Sequence, residues 1–228
     1  MDFADIARTL PSERHADYRK DLTRAIAGPL DDTSEPGSAA QFQSQLMVRT
    51  ALVKAGADTT LPTWSGRDSR KKPDLLVEDS LVHLAVEVKR PSKWKTMLPR
   101  SVDAAAQIAD AGLQGGVVLD VTDCLDGVPP DEWDDALLRA AEEVAELFFV
   151  QKRGFQPGYS HILMLLLFAR PAWYAVEEKG GTHVTVYNSS VSWVFATERG
   201  TIGYQRGHRL RSLLERGLNR LGFTSHEQ

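Results

Sequence analysis

Glu87 and Lys89 are two charged residues in a segment that otherwise has the alternation of a β-strand. Every second residue of this segment is apolar: Val82, Leu84, Val86 and Val88. Residues two apart project from the same side of a strand, so Glu87 and Lys89 share the face opposite these apolar residues. Burying an unpaired carboxylate or ammonium is costly, so charges on one face of such a strand indicate either a chemical site or an exposed hairpin with a Glu/Lys pair for solubility.

Asp74 begins the preceding apolar run, Leu75–Val77, and a short turn separates this run from the strand that carries Glu87. The two runs predict a β-hairpin, and antiparallel pairing can bring Asp74 beside Glu87. Two adjacent carboxylates repel each other unless positive charge lies between them, and a hard divalent cation such as Mg²⁺ suits that position. Lys89 can then stabilise charge on a phosphate or orient an attacking water.

The elements around this hairpin predict a compact α/β unit. A helix is expected from Ser38, where Ser38 and Gln41 have the spacing of a capping box, to a point near Gly56. Its predicted core-facing stripe consists of Phe42, Leu46 and Val53. A second helix is expected over residues 102–111, and a buried strand over residues 115–119. The chain has no glycine-rich phosphate loop and no HExxH motif.

Pro73-Asp74, twelve intervening residues and Glu87-Val88-Lys89 together resemble the motif of the PD-(D/E)xK nuclease superfamily, the fold of many restriction endonucleases. The core of that family consists of a helix, a hairpin whose second strand bears the ExK residues, a helix and a strand. Residues 38–121 have the same predicted order. The segment from Val86 to Pro91 is most similar to nuclease modules of restriction and phage-defence systems.

The resemblance implies a metal-dependent endonuclease that hydrolyses DNA, acting in bacterial defence against foreign DNA or in repair. Asp74, Glu87 and the Val88 carbonyl are the implied ligands of Mg²⁺, with Mn²⁺ as an alternative, and Lys89 is the implied third catalytic residue. Gln107, on the following helix, matches an accessory glutamine of such proteins. The family often has a glutamate on the first core helix. This chain offers Gln43 or Gln45 there, and the sequence does not choose between them.

The chain is expected to consist of three parts. Residues 1–37 are expected to form an N-terminal helical extension and linker, and residues 38–123 a restriction-endonuclease-like α/β core. Residues 124–228 would add an acidic helix over residues 131–149, a β-meander and a closing helix over residues 209–221, packed on the core.

Charge is unevenly distributed along the chain despite a formal net charge of −4. Residues 67–100 contain nine Lys or Arg and five Asp or Glu, whereas residues 120–146 contain one Arg and ten Asp or Glu. The basic residues on both sides of the motif are expected to contact DNA phosphates: Arg70, Lys71, Lys72, Arg90, Lys93 and Lys95.

Two other functions fit the sequence. The missing helix glutamate is also expected of a catalytically inactive nuclease-like fold that binds nucleic acid or protein. A plain interaction subunit using residues 173–200 and the acidic helix is a further alternative. With one cysteine, Cys124, and no apolar run long enough to span a membrane, we expect a cytoplasmic protein without a membrane partner. It would act on DNA, as a homodimer or in a larger defence complex.

Overall fold

The mixed α/β architecture is confirmed by a computed structural model. The structure describes residue 23 and residues 39–61, 72–79, 82–153, 160–170, 174–178, 181–185, 189–194 and 201–227. Apart from Thr23, which is helical, the predicted N-terminal helix and the linker at residues 28–37 lie outside these ranges, as does Ser38 of the predicted capping box.

A mixed sheet forms the centre of the described part of the chain. The strands are β1 (Asp58–Thr60), β2 (Leu75–Asp79), β3 (Val82–Lys89), β4 (Gly115–Asp120), β5 (Ile162–Ala169), β6 (Tyr174–Glu178), β7 (Gly181–Thr185), β8 (Ser189–Val194) and β9 (Thr224–Glu227). Seven of these described strands form one sheet in the order β1-β2-β3-β4-β5-β8-β9, and β6 pairs with β7. Strands β3, β4 and β5 are parallel to one another, whereas β2 and β8 run antiparallel to their neighbours β3 and β5. Because β5, β8 and β9 belong to this sheet, residues beyond 123 complete it.

The predicted hairpin is confirmed as β2 and β3. Leu75 pairs with Val86 and Asp79 pairs with Val82. Asp74 lies at a bend immediately before β2, and its backbone amide donates a 2.8 Å hydrogen bond to Oε2 of Glu87. The strand pairing therefore brings the two motif carboxylates together.

Helices cover both faces of the sheet. They are α1 (Ala39–Lys54), α2 (Trp94–Asp110), α3 (Trp133–Arg153) and α4 (Ile202–Asn219). Helices α1 and α4 pack against the face that carries Val86 and Val88, and α2 and α3 pack against the face that carries Ala85. The end of α1 matches the prediction, since Gly56 follows it with a positive φ of 89°.

The buried face of α1 differs from the predicted stripe. Leu46 is buried, but Phe42 and Val53 are only half-buried. The apolar contacts come instead from Met47, Val48, Ala51 and Leu52. Because α1 packs against both the sheet and α4, its buried face is wider than a single stripe facing one partner.

Helix α2 begins at Trp94, eight residues before the predicted start at residue 102, and continues through Pro99. Because proline has no amide hydrogen, the Lys95 carbonyl lacks its usual helical donor. Lys95 is exposed, so water can replace this donor. Helix α4 likewise starts earlier than predicted, at Ile202, with Thr201 accepting a 3.2 Å hydrogen bond from the Tyr204 amide as its N-cap. The short strands β1 and β9 were not predicted.

Candidate active site

Asp74, Glu87 and Lys89 meet where β3 ends. The Asp74 backbone amide donates a 2.8 Å hydrogen bond to Oε2 of Glu87, and the Val88 amide donates a 2.9 Å bond to Oδ2 of Asp74. Lys89 Nζ donates to Oε1 of Glu87. Glu87 is fully buried, and the Lys89 side chain is 15% exposed. The three predicted residues, Asp74, Glu87 and Lys89, therefore contact one another and form one contact group at the edge of solvent.

Simultaneous ionisation of the Asp74 and Glu87 carboxyl groups is unfavourable. Burial raises the pKa of Glu87 to about 8, and the neighbouring charge of Asp74 acts in the same direction. Burial also raises the pKa of Asp74, although Lys89 opposes this change. Lys89 supplies one positive charge for two carboxylates, so the pair favours a bound proton or a further cation.

Gln107 extends the group from the adjacent helix α2. With its amide nitrogen facing Glu87, Nε2 lies 2.5 Å from Oε1 of Glu87 and the amide oxygen lies 3.1 Å from Nζ of Lys89. This orientation gives each amide atom a partner of the opposite hydrogen-bonding type. Gln107 thus contacts both members of the Glu87–Lys89 pair, in the region where the sequence expected an accessory glutamine.

Helix α1 contributes a second amide. Gln45 Nε2 donates a 2.7 Å hydrogen bond to Oδ1 of Asp74. Gln43, the other residue proposed for this position, lies two residues earlier, and this separation turns it by about 200° to the other side of the helix. The structure therefore brings Gln45 to the carboxylates.

Gln41 has a role that the sequence analysis missed. Its Nε2 donates a 2.6 Å hydrogen bond to the Val88 carbonyl, and its Oε1 accepts a 2.9 Å bond from the Arg90 amide. Gln41, Ser44 and Gln45 have the i, i+3, i+4 spacing of one helix face. This polar continuation of the buried face of α1 was the available sequence signal, but Gln41 was assigned to a capping box.

Arg90 lies next to this group and is held by carboxylates. Its Nε and Nη2 each lie 2.7 Å from an oxygen of Asp123, and its side chain is 11% exposed. Nη1 lies 3.6 Å from Oδ2 of Asp120. The guanidinium that was expected to contact DNA phosphates is therefore already paired with two carboxylates.

Asp120, at the end of β4, is the buried centre of a separate polar network. Its Oδ2 accepts hydrogen bonds from Ser44 Oγ at 2.5 Å and from Arg170 Nη2 at 2.6 Å, and its Oδ1 accepts a 2.5 Å bond from Thr122 Oγ1. Although burial alone would raise the pKa of Asp120, Arg170 and Arg90 lower it to about 2. This network joins the ends of β4 and β5 to α1.

The other residues predicted to bind phosphate differ in their exposure to solvent. Lys93 and Lys95 are exposed at the start of α2, and Lys72 is half-buried just before Asp74. Arg70 and Lys71 lie outside the described residues.

The donor set is suited to one hard cation. A carboxylate or carbonyl oxygen has two lone pairs, and the contacts above use one on each of Asp74 Oδ1, Asp74 Oδ2, Glu87 Oε2 and the Val88 carbonyl oxygen. Within the described ranges, no group of three or more His, Cys, Asp or Glu side chains is arranged to hold a metal ion. Asp74, Glu87 and the Val88 carbonyl are the oxygen donors that could hold a cation here, with water or phosphate oxygens as further ligands.

None of the described helices is both long and apolar enough to cross a membrane. No protein family, curated protein or solved structure matches the chain.

Proposed function

We propose that the protein is a Mg²⁺-dependent endonuclease of the PD-(D/E)xK type that hydrolyses phosphodiester bonds in DNA. The observation that carries this proposal is the contact group of Asp74, Glu87 and Lys89 at the end of β3. The order α1, β2, β3, α2, β4 supports a restriction-endonuclease-like topology for this part of the sheet. The resemblance in the motif points to a setting in defence against foreign DNA or in repair.

Asp74, Glu87 and the Val88 carbonyl would hold the cation. When bound, a divalent cation supplies positive charge that polarises a phosphate oxygen and makes water more acidic. Lys89, which is partly exposed, donates a hydrogen bond to a phosphate oxygen or to the attacking water. Gln107 keeps the Lys89 ammonium beside Glu87, and Gln45 fixes the Asp74 carboxylate.

The hydrolysis forms a bond between the water oxygen and phosphorus and breaks the bond from phosphorus to the 3′ oxygen. The water gives up a proton, and the leaving 3′ oxygen gains one. The products are a 5′-phosphate and a 3′-hydroxyl, as the resemblance implies.

A second candidate function is a nuclease-like module that binds nucleic acid without cleaving it. Gln45 favours it, because this residue gives Asp74 a hydrogen-bond donor where a glutamate would give a cation another oxygen. Such a module would bind DNA with strong salt dependence and without a requirement for Mg²⁺.

The first experiment incubates the full chain with supercoiled plasmid or linear DNA in Mg²⁺, Mn²⁺ or EDTA. We expect cleavage that needs the cation and that falls about 10²- to 10⁴-fold in Asp74→Ala and in Lys89→Ala. Asp131→Ala is the control, because it removes an exposed carboxylate outside this contact group. Thermal unfolding establishes that each variant is folded.

Unchanged cleavage by both site variants would overturn the nuclease assignment. Absence of cleavage by the wild type in either cation, with DNA retained in a gel shift in EDTA, would support the binding module instead.

A further inference from the structure

The backbone of Val88 lies where the ladder between β2 and β3 stops. The paired residues of the hairpin end at Leu75 and Val86, the chain bends at Asp74, and Pro73 before it has no amide hydrogen to donate. The Val88 amide donates to the Asp74 side chain. Both backbone groups of Val88 therefore depend on side chains.

Gln41 satisfies the carbonyl that β2 does not reach. Its Nε2 donates to the Val88 carbonyl at 2.6 Å, and its Oε1 accepts from the Arg90 amide at 2.9 Å. The carbonyl of one strand residue and the amide of the residue two further on point to the same edge of a strand. A carboxamide has one donor group and one acceptor in a fixed plane, so it can replace the backbone of a neighbouring strand at this edge.

We propose that Gln41 is a positioning residue of the site, which fixes the backbone from Val88 to Arg90 and thereby the direction of the Val88 carbonyl. Lys89 lies between the two backbone groups that Gln41 holds. The same contacts therefore fix the point from which the Lys89 side chain leaves the strand. Gln41 acts through these groups and is not itself assigned a contact with substrate.

This inference rests on the proposed function for its effect on catalysis, but its structural part can be measured without any activity. Gln41→Met keeps the length of the side chain and removes both hydrogen bonds. Gln41→Glu keeps an acceptor for the Arg90 amide and removes the donor to the Val88 carbonyl. Thr50→Val is the matched control, because the Thr50 hydroxyl lies in the same helix and donates at 2.7 Å to the Leu46 carbonyl within α1.

The first measurement is amide hydrogen exchange of the full-length, metal-free protein, followed residue by residue by NMR. We expect the Arg90 amide to exchange about tenfold faster in Gln41→Met than in the wild type, in line with the loss of one hydrogen bond. The Arg90 amide should remain protected in Gln41→Glu and in Thr50→Val. Unchanged Arg90 protection in Gln41→Met would overturn the inference.

The second measurement is calorimetric titration of the metal-free protein with Mn²⁺. We expect the dissociation constant to rise about tenfold or more in Gln41→Met, as for loss of a residue that orients a ligand, and to be unchanged in Thr50→Val. An equal loss of Mn²⁺ affinity in both variants would assign Gln41 a merely structural role and overturn the inference.

The two proposals fail in different ways. If the wild type binds Mn²⁺ and does not cleave DNA, the nuclease assignment fails, whereas faster Arg90 exchange and weaker Mn²⁺ binding in Gln41→Met still support the role of Gln41. If the wild type cleaves DNA and Gln41→Met matches it in exchange, Mn²⁺ affinity and cleavage rate, the role of Gln41 fails alone.

Discussion

The Asp74 carboxylate receives a 2.7 Å hydrogen bond from the side-chain amide of Gln45. Helix α1 therefore supplies a donor to Asp74, where the proposed nuclease family would often have a glutamate. A donor stabilises the negative charge of Asp74 without a cation, whereas a carboxylate would add to the repulsion between Asp74 and Glu87. The Gln45 amide therefore stabilises the Asp74 carboxylate beside Glu87.

Gln45→Glu should make the stability of the protein depend on a divalent cation. The change removes a donor to the partly buried Asp74 carboxylate and adds a like charge, so we expect the free energy of unfolding to fall by about 2 kcal/mol in EDTA. Thermal unfolding should then occur roughly 4–8 °C lower than in the wild type, and Mg²⁺ should restore most of the loss. Gln43→Glu is the control, because it adds the same charge on the other side of α1. Equal recovery by Mg²⁺ in both variants would contradict this prediction.

Gly217 allows α4 to lie against α1. A Cβ atom at Gly217 would lie 1.9 Å from the Ala51 carbonyl oxygen, and backbone cannot move aside as a flexible side chain can. We expect Gly217→Ala to lower the free energy of unfolding by about 1–3 kcal/mol, measured by urea denaturation. Gly203→Ala, in the first turn of the same helix, meets no atom closer than 3.9 Å and should be neutral or stabilising by up to about 1 kcal/mol. Equal effects of the two substitutions would show that the helix contact does not determine the result.

The central hairpin and its carboxylates could be predicted because they depend on residues that are close together in the sequence. The alternation of β3 specifies which side chains share a face, and the short connection to β2 limits the register. The hairpin therefore allows Asp74 few positions that are not beside Glu87. Gln107 was indicated only by resemblance, since nothing local to α2 marks that residue as a partner of Lys89.

Long-range contacts account for what the sequence did not reveal. Gln41 bonds to Val88 and Arg90, which lie 47 and 49 residues away, and its spacing from Ser38 equally suits a helix cap. The pairing of Arg90 with Asp123 spans 33 residues, so a basic residue next to the motif suggested a phosphate contact instead. Strand β1 has three residues, too few to display a period of two over several positions.

Asp120 should contribute stability that is lost in acid. The two arginines lower the pKa of Asp120 from 3.8 to about 2, so as pH falls the unfolded chain takes up the proton first. The contribution, about 2 kcal/mol, is present above pH 4 and disappears between roughly pH 4 and pH 2. At pH 6 we expect Asp120→Asn to unfold at lower urea concentrations, with a loss of about 3–5 kcal/mol because Arg170 loses its partner.

The pH dependence of this difference separates the charge of Asp120 from other effects of the substitution. Between pH 6 and about pH 2.5 the gap between wild type and Asp120→Asn should narrow by roughly 1–2 kcal/mol. Asp131→Asn, at an exposed carboxylate, should follow the wild type throughout. If the difference in free energy of unfolding stays constant with pH, packing and not ionisation explains why replacing Asp120 destabilises the protein.

Gln107→Ala should slow cleavage while leaving DNA binding intact. Gln107 contacts both Oε1 of Glu87 and Nζ of Lys89, so its loss frees the ammonium to move away from the carboxylates. We expect the rate under saturating DNA to fall about 10- to 100-fold, the usual effect of losing a residue that orients a catalytic group. The apparent affinity for DNA, from a gel shift in EDTA, should match that of the wild type, because Gln107 carries no charge to pair with phosphate. Asp110→Ala on the same helix is the control for general effects on α2. A fall in DNA affinity with an unchanged cleavage rate would instead make Gln107 a substrate-binding residue.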